Sequence, residues 1–433
     1  MAENKKLSLE PYKGTRDFFP KDQFIQNYIF SVWMKVAESY GYLEYNASIL
    51  EETDLYRAKS GQELVSEQTY SFTDRGGRDV TIRPEMTPTV ARMVAQKRRE
   101  LVFPLRWFSM PNLFRYERPQ RGRLREHWQL NVDIFGVDSI EADVEVISVA
   151  YNIMSAFGAK PEQYKIKVNN RKIINYILND FLSLSSDQAH GVSKLIDRKD
   201  KMSKEDFNQE VTSLIGEKSV KLSEVLSITK AEDLTILIPS KNGLEEVIEV
   251  LKSLESSGIT NACLDLSLMR GFDYYTGTVF EVFDLNPKNN RSLFGGGRYD
   301  DLVGLFEVEK VSGVGFGMGD VTIKDFLETY QLLPEYKPTT SLYIAPFDVS
   351  FVEKAQQLAM RLRKENINVA VDLTERKIAA KVKTADKENI PWILVIGEEE
   401  VKTGLYKLKN LLLSEEIKVK IEDIAFTLAR ERK

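Results

Sequence analysis

The stretch "LFRYERPQRGRLREHWQLNVDIFG", residues 113–136, reads as an antiparallel hairpin around a charged tip. Trp107 to Glu117 is one expected strand, "RPQRGRLR" (118–125) the loop, and His127 to Phe135 the return strand. In the return strand Trp128, Leu130, Val132 and Ile134 alternate with Gln129, Asn131 and Asp133, the period of two that a β-strand imposes. The polar set faces either water or a site. Short amides and a carboxylate, in place of lysines and glutamates, suit a site. Five arginines stand between Arg115 and Arg125. Guanidinium forks match phosphate oxygens in pairs and stay charged at any working pH. The tip therefore suits a polyphosphate; a nucleic-acid backbone or plain solvent are the alternatives.

Outward from the hairpin, 433 residues suggest two or three domains. Hydrophobic and charged contents of 42% and 29% are those of an ordinary globular protein. A net charge of −5 confines any nucleic-acid contact to local basic clusters. The single cysteine, Cys263, leaves no internal disulfide and fits a reducing compartment. It sits in an apolar, strand-like run and is expected in the core. With His127 and His190 as the two histidines, no metal site is expected. The opening "MAENKKLSLEPY" has no apolar signal stretch, and no run approaches the ~20 apolar residues of a membrane span. A cytoplasmic location is expected.

After Pro20, the spacing of Phe24, Tyr28, Val32, Val36 and Ala37 predicts a helix, with Gly41 beyond its end. "DVTIRPEMTPTVARMVA" (79–95) reads as a strand entering a helix, with Thr87 as N-cap and Pro88 first in the helix. Residues from about 171 to 255 turn richer in Lys, Ser, Asp and Glu and read as a mostly helical insertion. "LLPEYKPTTS" (332–341) carries Pro334 and Pro338 and reads as a linker. Beyond it, strands "SLYIAP", "NVAVDL" and "WILVIG" alternate with a helix bearing Phe351, Ala355, Leu358 and Leu362 and a second helix over 376–388. That alternation predicts a small parallel α/β domain.

No GxxxxGK[ST] occurs, and "GVGFGMGD" (313–320) lacks the dinucleotide spacing. Its glycines at period two clear one face of a strand, for a flat ligand ring or for close packing of other protein atoms. In "RGFDYYTG" (270–277) Arg270 either meets a reacting phosphate or pairs with a carboxylate such as Asp273. Tyr274 and Tyr275 can wall a polar ring. Glu85 either receives a substrate ammonium or favours the dipole of its helix.

Taken in order, "KGTRDFFP", "TIRPEMTP", the 113–136 hairpin, "RGFDYYTGTVFEVF", "GGGRYD" and "VDLTERKIAAKVKTADKENIPWILVIGEEE" resemble the class II aminoacyl-tRNA synthetases, and among them the histidyl-tRNA synthetase family. The resemblance covers nearly the whole chain. It implies an α+β catalytic domain with a mostly antiparallel sheet over 1–328, interrupted by the insertion at about 171–255. A linker at 329–339 and a C-terminal α/β anticodon-binding domain at 340–433 would follow. It implies ATP-dependent ligation of L-histidine to tRNA(His) through a histidyl-adenylate, with Mg2+ accompanying the nucleotide, in a homodimer away from membranes. Arg115 would hold the α-phosphate and the amino-acid carboxylate. Glu117 and His127 would meet the adenine, Arg123 the γ-phosphate, and Arg270 would do work that a metal ion does in related synthetases. Glu85, Thr87, Gln129 and Asp133 would hold and orient the histidine ammonium, with Tyr274 and Tyr275 lining the imidazole pocket. Gln120 and Arg121 would lie near the tRNA acceptor end. Lys377 and Lys381, on the 376–388 helix, would meet tRNA phosphates unless that helix is simply a solvated basic one.

Four positions depart from the family pattern. Ser48 in "YNASILEE" stands where the first motif, which builds the dimer interface, ends in proline. His127 replaces an adenine-stacking aromatic, and Asp133 stands where glutamate is common. Thr322 in "GMGDVTI" stands where the third motif carries a phosphate-binding arginine. Two other readings fit similar motifs. One is the non-catalytic regulatory subunit of ATP phosphoribosyltransferase, which typically lacks the C-terminal domain; the other is a class II synthetase for another amino acid.

Overall fold

The computed structural model describes residues 7–57, 68–199, 202–239, 242–269, 274–289 and 291–430. The chain divides into two compact units, one ending at Pro334 and one starting at Glu335.

In chain order the strands of the first unit are β1 (Leu43–Glu44), β2 (Leu50–Glu52), β3 (Tyr70–Thr73), β4 (Asp79–Ile82), β5 (Leu105–Ser109), β6 (Asn112–Phe114), β7 (Glu126–Phe135), β8 (Tyr164–Asn170), β9 (Ala262–Leu264), β10 (Thr278–Asp284), β11 (Ser292–Arg298) and β12 (Gly313–Gly319). Among the described residues, β2, β4 and β3 form a small antiparallel sheet and the other nine a large one. The large sheet runs β1-β5-β7-β12-β11-β10-β8-β9, with β6 also on β7. Its two outer pairings, β1 with β5 and β8 with β9, are parallel and the rest antiparallel.

The expected hairpin forms with one change. Its first arm is broken at Met110 and Pro111 into β5 and β6, because proline has no N–H for the ladder. Arg115 therefore lies one residue past β6 and not inside a strand, although its N–H still reaches Arg125 O at 2.9 Å. The alternation on β7 is also met differently. Leu130, Val132 and Ile134 are buried as expected, but so are Asn131 and Asp133 on the opposite face. Helices cover both sides of the sheet, so the polar face of β7 does not look at bulk water.

One face carries the helices Pro20–Ser39, Glu141–Ala156, Leu244–Ser256 and Asp320–Thr329 over a core that includes Trp33, Val132, Ile147 and Phe326. Trp33 is fully buried, with its indole N–H 3.0 Å from Met318 Sδ. Burial of a side chain of that size contributes about 2–3 kcal/mol. The buried stripe of the first helix is Ile29, Trp33, Val36 and Ala37; the expected Phe24, Tyr28 and Val32 sit at its half-buried margin. The other face holds Val90, Phe135, Tyr274, Tyr275 and Tyr299. There the helix Thr87–Lys97 begins with Thr87 already in its first turn. Met86 is its N-cap and no side chain caps it, which corrects the expected cap by one residue.

From Arg171 to Ser256 the described residues are mainly helical and bury their own core, with Ile174, Val192, Val211, Leu222 and Val247 in it. Ser185 shows the local logic. Its hydroxyl accepts from Gln188 N–H, and Gln188 Oε1 accepts from Ser185 N–H, the reciprocal box that starts the helix Ser186–Arg198.

The second unit has β13 (Leu342–Pro346), β14 (Val369–Val371), β15 (Trp392–Ile396), β16 (Leu405–Asn410) and β17 (Glu416–Lys420), in the order β14-β13-β15-β16-β17. The first three are parallel, as the strand–helix alternation predicts. Two antiparallel strands that the sequence reading passed over extend the sheet. Ala355, Leu358, Ala359 and Leu362 seat the helix Val352–Lys364 on it.

Candidate active site

Two cavities open side by side on the β7–β12–β11 part of the large sheet. The smaller, about 100 Å³, is lined by Glu85, Thr87, Arg115, Gln129, Tyr274, Tyr275 and Tyr299 with Gly295, Gly315, Phe316 and Gly317. The larger, about 200 Å³, is lined by Arg115, Glu117, Arg123, His127 and Gln129 together with Gly122, Leu293, Gly317 and Thr322. Arg115, Gln129 and Gly317 belong to both.

Arg115 is fixed at that junction. Its Nε donates to Pro84 O at 3.0 Å, which ties the end of β6 to the loop before Glu85. Buried Glu85 accepts from Tyr274 OH at 3.2 Å. The Tyr274 ring packs on Tyr275 at 4.8 Å and edge-on to Tyr299 at 5.9 Å. Gln129 donates to Asn131 Oδ1 at 2.7 Å.

The period-two glycines now have a reason. A Cβ on Gly315 would lie 2.3 Å from Asp133 Oδ1, and one on Gly317 would lie 2.4 Å from Gln129 Nε2. The face cleared on β12 is filled by polar side chains of β7 lying across it. Asp133 is thus buried beneath the smaller cavity, with Tyr299 OH donating to Oδ1. Burial, only partly offset by that hydrogen bond, pushes its carboxyl up to about 7. Tyr299 is raised well above an ordinary phenol, by burial first and then by Asp133.

At the larger cavity Arg123 pairs with Glu117 at 3.3 Å. Burial, followed by the charges of Arg115 and Arg16, pushes the His127 imidazole down to about 3. It is neutral at any working pH and presents a flat uncharged ring. The five arginines divide their tasks. Arg125 is a structural member, stacked at 4.0 Å over Tyr116 and bonded to Glu117 O. Arg121 pairs with Asp325 at 2.7 Å, and Arg118 is exposed. Gln120 faces Arg123 across the tight turn at the tip, also exposed.

Arg270 lies outside the described residues. Lys377 is exposed at the start of the helix Ile378–Lys387. Lys381 is not available to a phosphate. It is buried, donating to Pro346 O at 2.8 Å, 4.0 Å from the equally buried Asp372. The helix turns that position into its own unit, which corrects the expectation for Lys381, while Lys383 and Lys387 are exposed like Lys377.

Two contributors were passed over in the sequence. Tyr299 stands in "GGGRYD", a motif with no role attached to it. Arg16 of "KGTRDFFP" pairs with Asp320 at 2.7 Å and sits 4.9 Å from the centre of the Phe18 ring. Asp320 also accepts from Trp128 N–H at 2.9 Å, so Arg16 braces the joint between β7 and the end of β12. An arginine two residues before the pair Phe18 and Phe19 was the available signal.

A family model described as histidyl-tRNA synthetase matches residues 14–323, and one described as anticodon binding domain matches residues 341–431. A histidine–tRNA ligase of Leptospira biflexa is 47% identical, covering 94% of this chain and 94% of the relative. One of Thermoplasma volcanium is 36% identical, covering 96% and 98%. Among solved structures, histidyl-tRNA synthetase from Nostoc sp. PCC 7120 superposes with a TM-score of 0.83 at 22% identity, over 98% of this chain and 100% of that one. A Bacillus halodurans structure, titled an ATP phosphoribosyltransferase regulatory subunit/histidyl-tRNA synthetase, gives 0.74 at 23%, over 88% and 97%. At these identities the structural likeness concerns the fold.

Proposed function

The chain belongs to the histidyl-tRNA synthetase family, and from that premise we propose that its two joined cavities hold histidine and ATP with Arg115 between them. The enzyme is an ATP-dependent ligase that joins histidine to tRNA. The regulatory-subunit reading is the less supported one, since the match to histidine–tRNA ligases runs through the anticodon-binding domain.

The observation that carries the site reading is the double membership of Arg115. One guanidinium, held by Pro84 O, faces the place of the carboxylate and the place of the α-phosphate. Glu85, Thr87, Gln129 and Asp133 receive the ammonium and orient the amino acid, and Tyr274 and Tyr275 line its ring. Hydrogen bonds to the imidazole nitrogens reject apolar isosteres strongly. Glu117 and neutral His127 take the adenine, and Arg123 the γ-phosphate. The histidine carboxylate, already ionised, attacks the α-phosphorus in line; a P–O bond forms and pyrophosphate leaves with its bonding pair. No general base is needed for that step, so the protein contributes positioning and electrostatics. The terminal ribose hydroxyl of tRNA then attacks the adenylate carbonyl and AMP leaves. We assign Arg270 to the phosphate as well, on the motif alone.

Glu117 is the carboxylate lining the nucleotide cavity, and Arg123 occupies it. A metal cage from protein carboxylates does not fit there; Mg2+ is read as arriving on the phosphates of ATP. Gln120 and Arg121 face the acceptor end, and Lys377 the tRNA backbone. We read 171–255 as an insertion in the catalytic domain, 329–339 as the linker and 340–433 as the tRNA-reading domain. We also propose a homodimer. Its support is the first-motif region, where partly exposed Leu50 and Leu305 flank a cavity of about 480 Å³ lined by Glu51, Asp54, Arg92 and Phe306. Sedimentation at micromolar concentration tests that. A cytoplasmic location is proposed alongside; among the described residues no helix is long and apolar enough to cross a membrane.

ATP–pyrophosphate exchange, run with each amino acid in turn, tests the specificity. Exchange is expected with histidine. Exchange with a different amino acid and none with histidine contradicts the reading.

A further inference from the structure

The wall of the larger cavity formed by Leu293, Gly319, Val321 and Thr322 carries no charged side chain, although a triphosphate brings several negative charges against it. Thr322 offers little. Its hydroxyl is already engaged, donating to Leu293 O at 2.8 Å. A guanidinium nevertheless stands at this rim. Arg291, the residue before β11, donates Nη1 to Arg121 O at 2.7 Å. A Cβ on Gly122 would fall 2.1 Å from that Nη1 and 3.7 Å from the Thr322 methyl. Arg291 and Thr322 therefore crowd the same lining glycine, whose φ of +76° and missing side chain make room for the arginine head.

Asp325 holds this arginine in place. Its Oδ2 lies 3.6 Å from Arg291 Nη2, while its Oδ1 takes Arg121 through Nε at 2.8 Å and Nη2 at 2.7 Å. One carboxylate serving two guanidiniums leaves a surplus positive charge at the tip. An ion pair at this partly exposed distance is weak, whereas an arginine–phosphate fork is among the stronger polar contacts.

We propose that Arg291 is an ATP-phosphate ligand, exchanging Asp325 for the β- or γ-phosphate when nucleotide enters, and so supplying from the β10–β11 hairpin the cation that position 322 lacks. It rests on the reading that the larger cavity holds ATP. The exchange makes no covalent change; the head turns from one anion to another over Gly122, a glycine that lines the cavity.

Calorimetric titration of the full chain with ATP, AMP and histidine tests it. Arg291→Ala is expected to weaken ATP roughly tenfold or more, leave AMP and histidine within about twofold, and regain part of the loss as Arg291→Lys. AMP has no β- or γ-phosphate, so a merely structural role would weaken both nucleotides in parallel. That parallel loss, or ATP affinity equal to the unaltered chain's, overturns the proposal. Failure of the unaltered chain to bind ATP sinks the cavity reading and this proposal together; ATP binding indifferent to Arg291 sinks this one alone.

Discussion

Tyr299 donates its phenolic hydrogen to Oδ1 of Asp133 beneath the smaller cavity, while Oδ2 of the same carboxylate is buried without a hydrogen-bond partner among the described residues. One oxygen is thus held and the other is enclosed without a partner. Burial keeps this carboxyl protonated up to about pH 7, against about 4 in an unfolded chain. Between those values the folded protein retains a proton that the unfolded chain has lost. The stabilisation is therefore complete below about pH 4 and gone above about pH 7. Asp133→Asn is expected to flatten this part of the pH dependence of the urea midpoint between pH 5 and 7. An unchanged slope would show that Asp133 is ionised in the ligand-free protein.

The Tyr274 hydroxyl reaches Glu85 at 3.2 Å, and both groups line the smaller cavity. Tyr274→Phe keeps the ring and deletes the bond. KM for histidine is expected to rise about tenfold, the scale of one hydrogen bond to a charged group, with KM for ATP within about twofold. Equal rises in both would mean the pair holds the cavity's shape and does not select the amino acid.

Arg298 meets Asp143 inside the protein, through Nε at 3.1 Å, and also donates to Val137 O and Ser139 O at 2.9 Å each. This cluster ties the end of β11, just before Tyr299, to the helix Glu141–Ala156. Asp143→Ala strands a buried guanidinium, and a loss of about 3–5 kcal/mol is expected in chemical denaturation. A loss below 1 kcal/mol would indicate that Arg298 finds another anion.

Local pattern carried a large part of this structure. The alternation along β7, the helical spacing after Pro20 and the strand–helix rhythm after Ser341 depend on neighbours a few residues away, and each formed. What depends on distant neighbours was not legible. The polar face of β7 suits a site in the sequence, but that Asp133 is buried against Gly315 of β12 and under Tyr299 shows only in the fold. Lysine-bearing "LYKLKN" and "EIKVK" were passed over, yet they are the outer strands of the second sheet. In the site, motif order brought Glu85, Arg115, Gln129, Tyr274 and Tyr275 around one cavity. Arg291 and Tyr299 entered only through pairings set by tertiary structure.

Lys381 and Lys377 stand four residues apart with opposite surroundings. Lys381→Ala removes the donor to Pro346 O and leaves a void beside Asp372, so the second unit is expected to lose about 2–4 kcal/mol. Lys377→Ala is expected to leave stability alone and to lower the salt dependence of tRNA binding by about one contact. A salt slope that moves with Lys381 and not with Lys377 would reverse the assignment.

The junction at Arg115 is tested most directly by a crystal structure with histidine and a non-hydrolysable ATP analogue bound together. The Arg115 guanidinium is expected within hydrogen-bond distance of both the histidine carboxylate and the α-phosphate, with the ammonium at Glu85 and the imidazole beside Tyr274 and Tyr275. Ligands bound with Arg115 touching neither, or both lodged outside the two cavities, would contradict it.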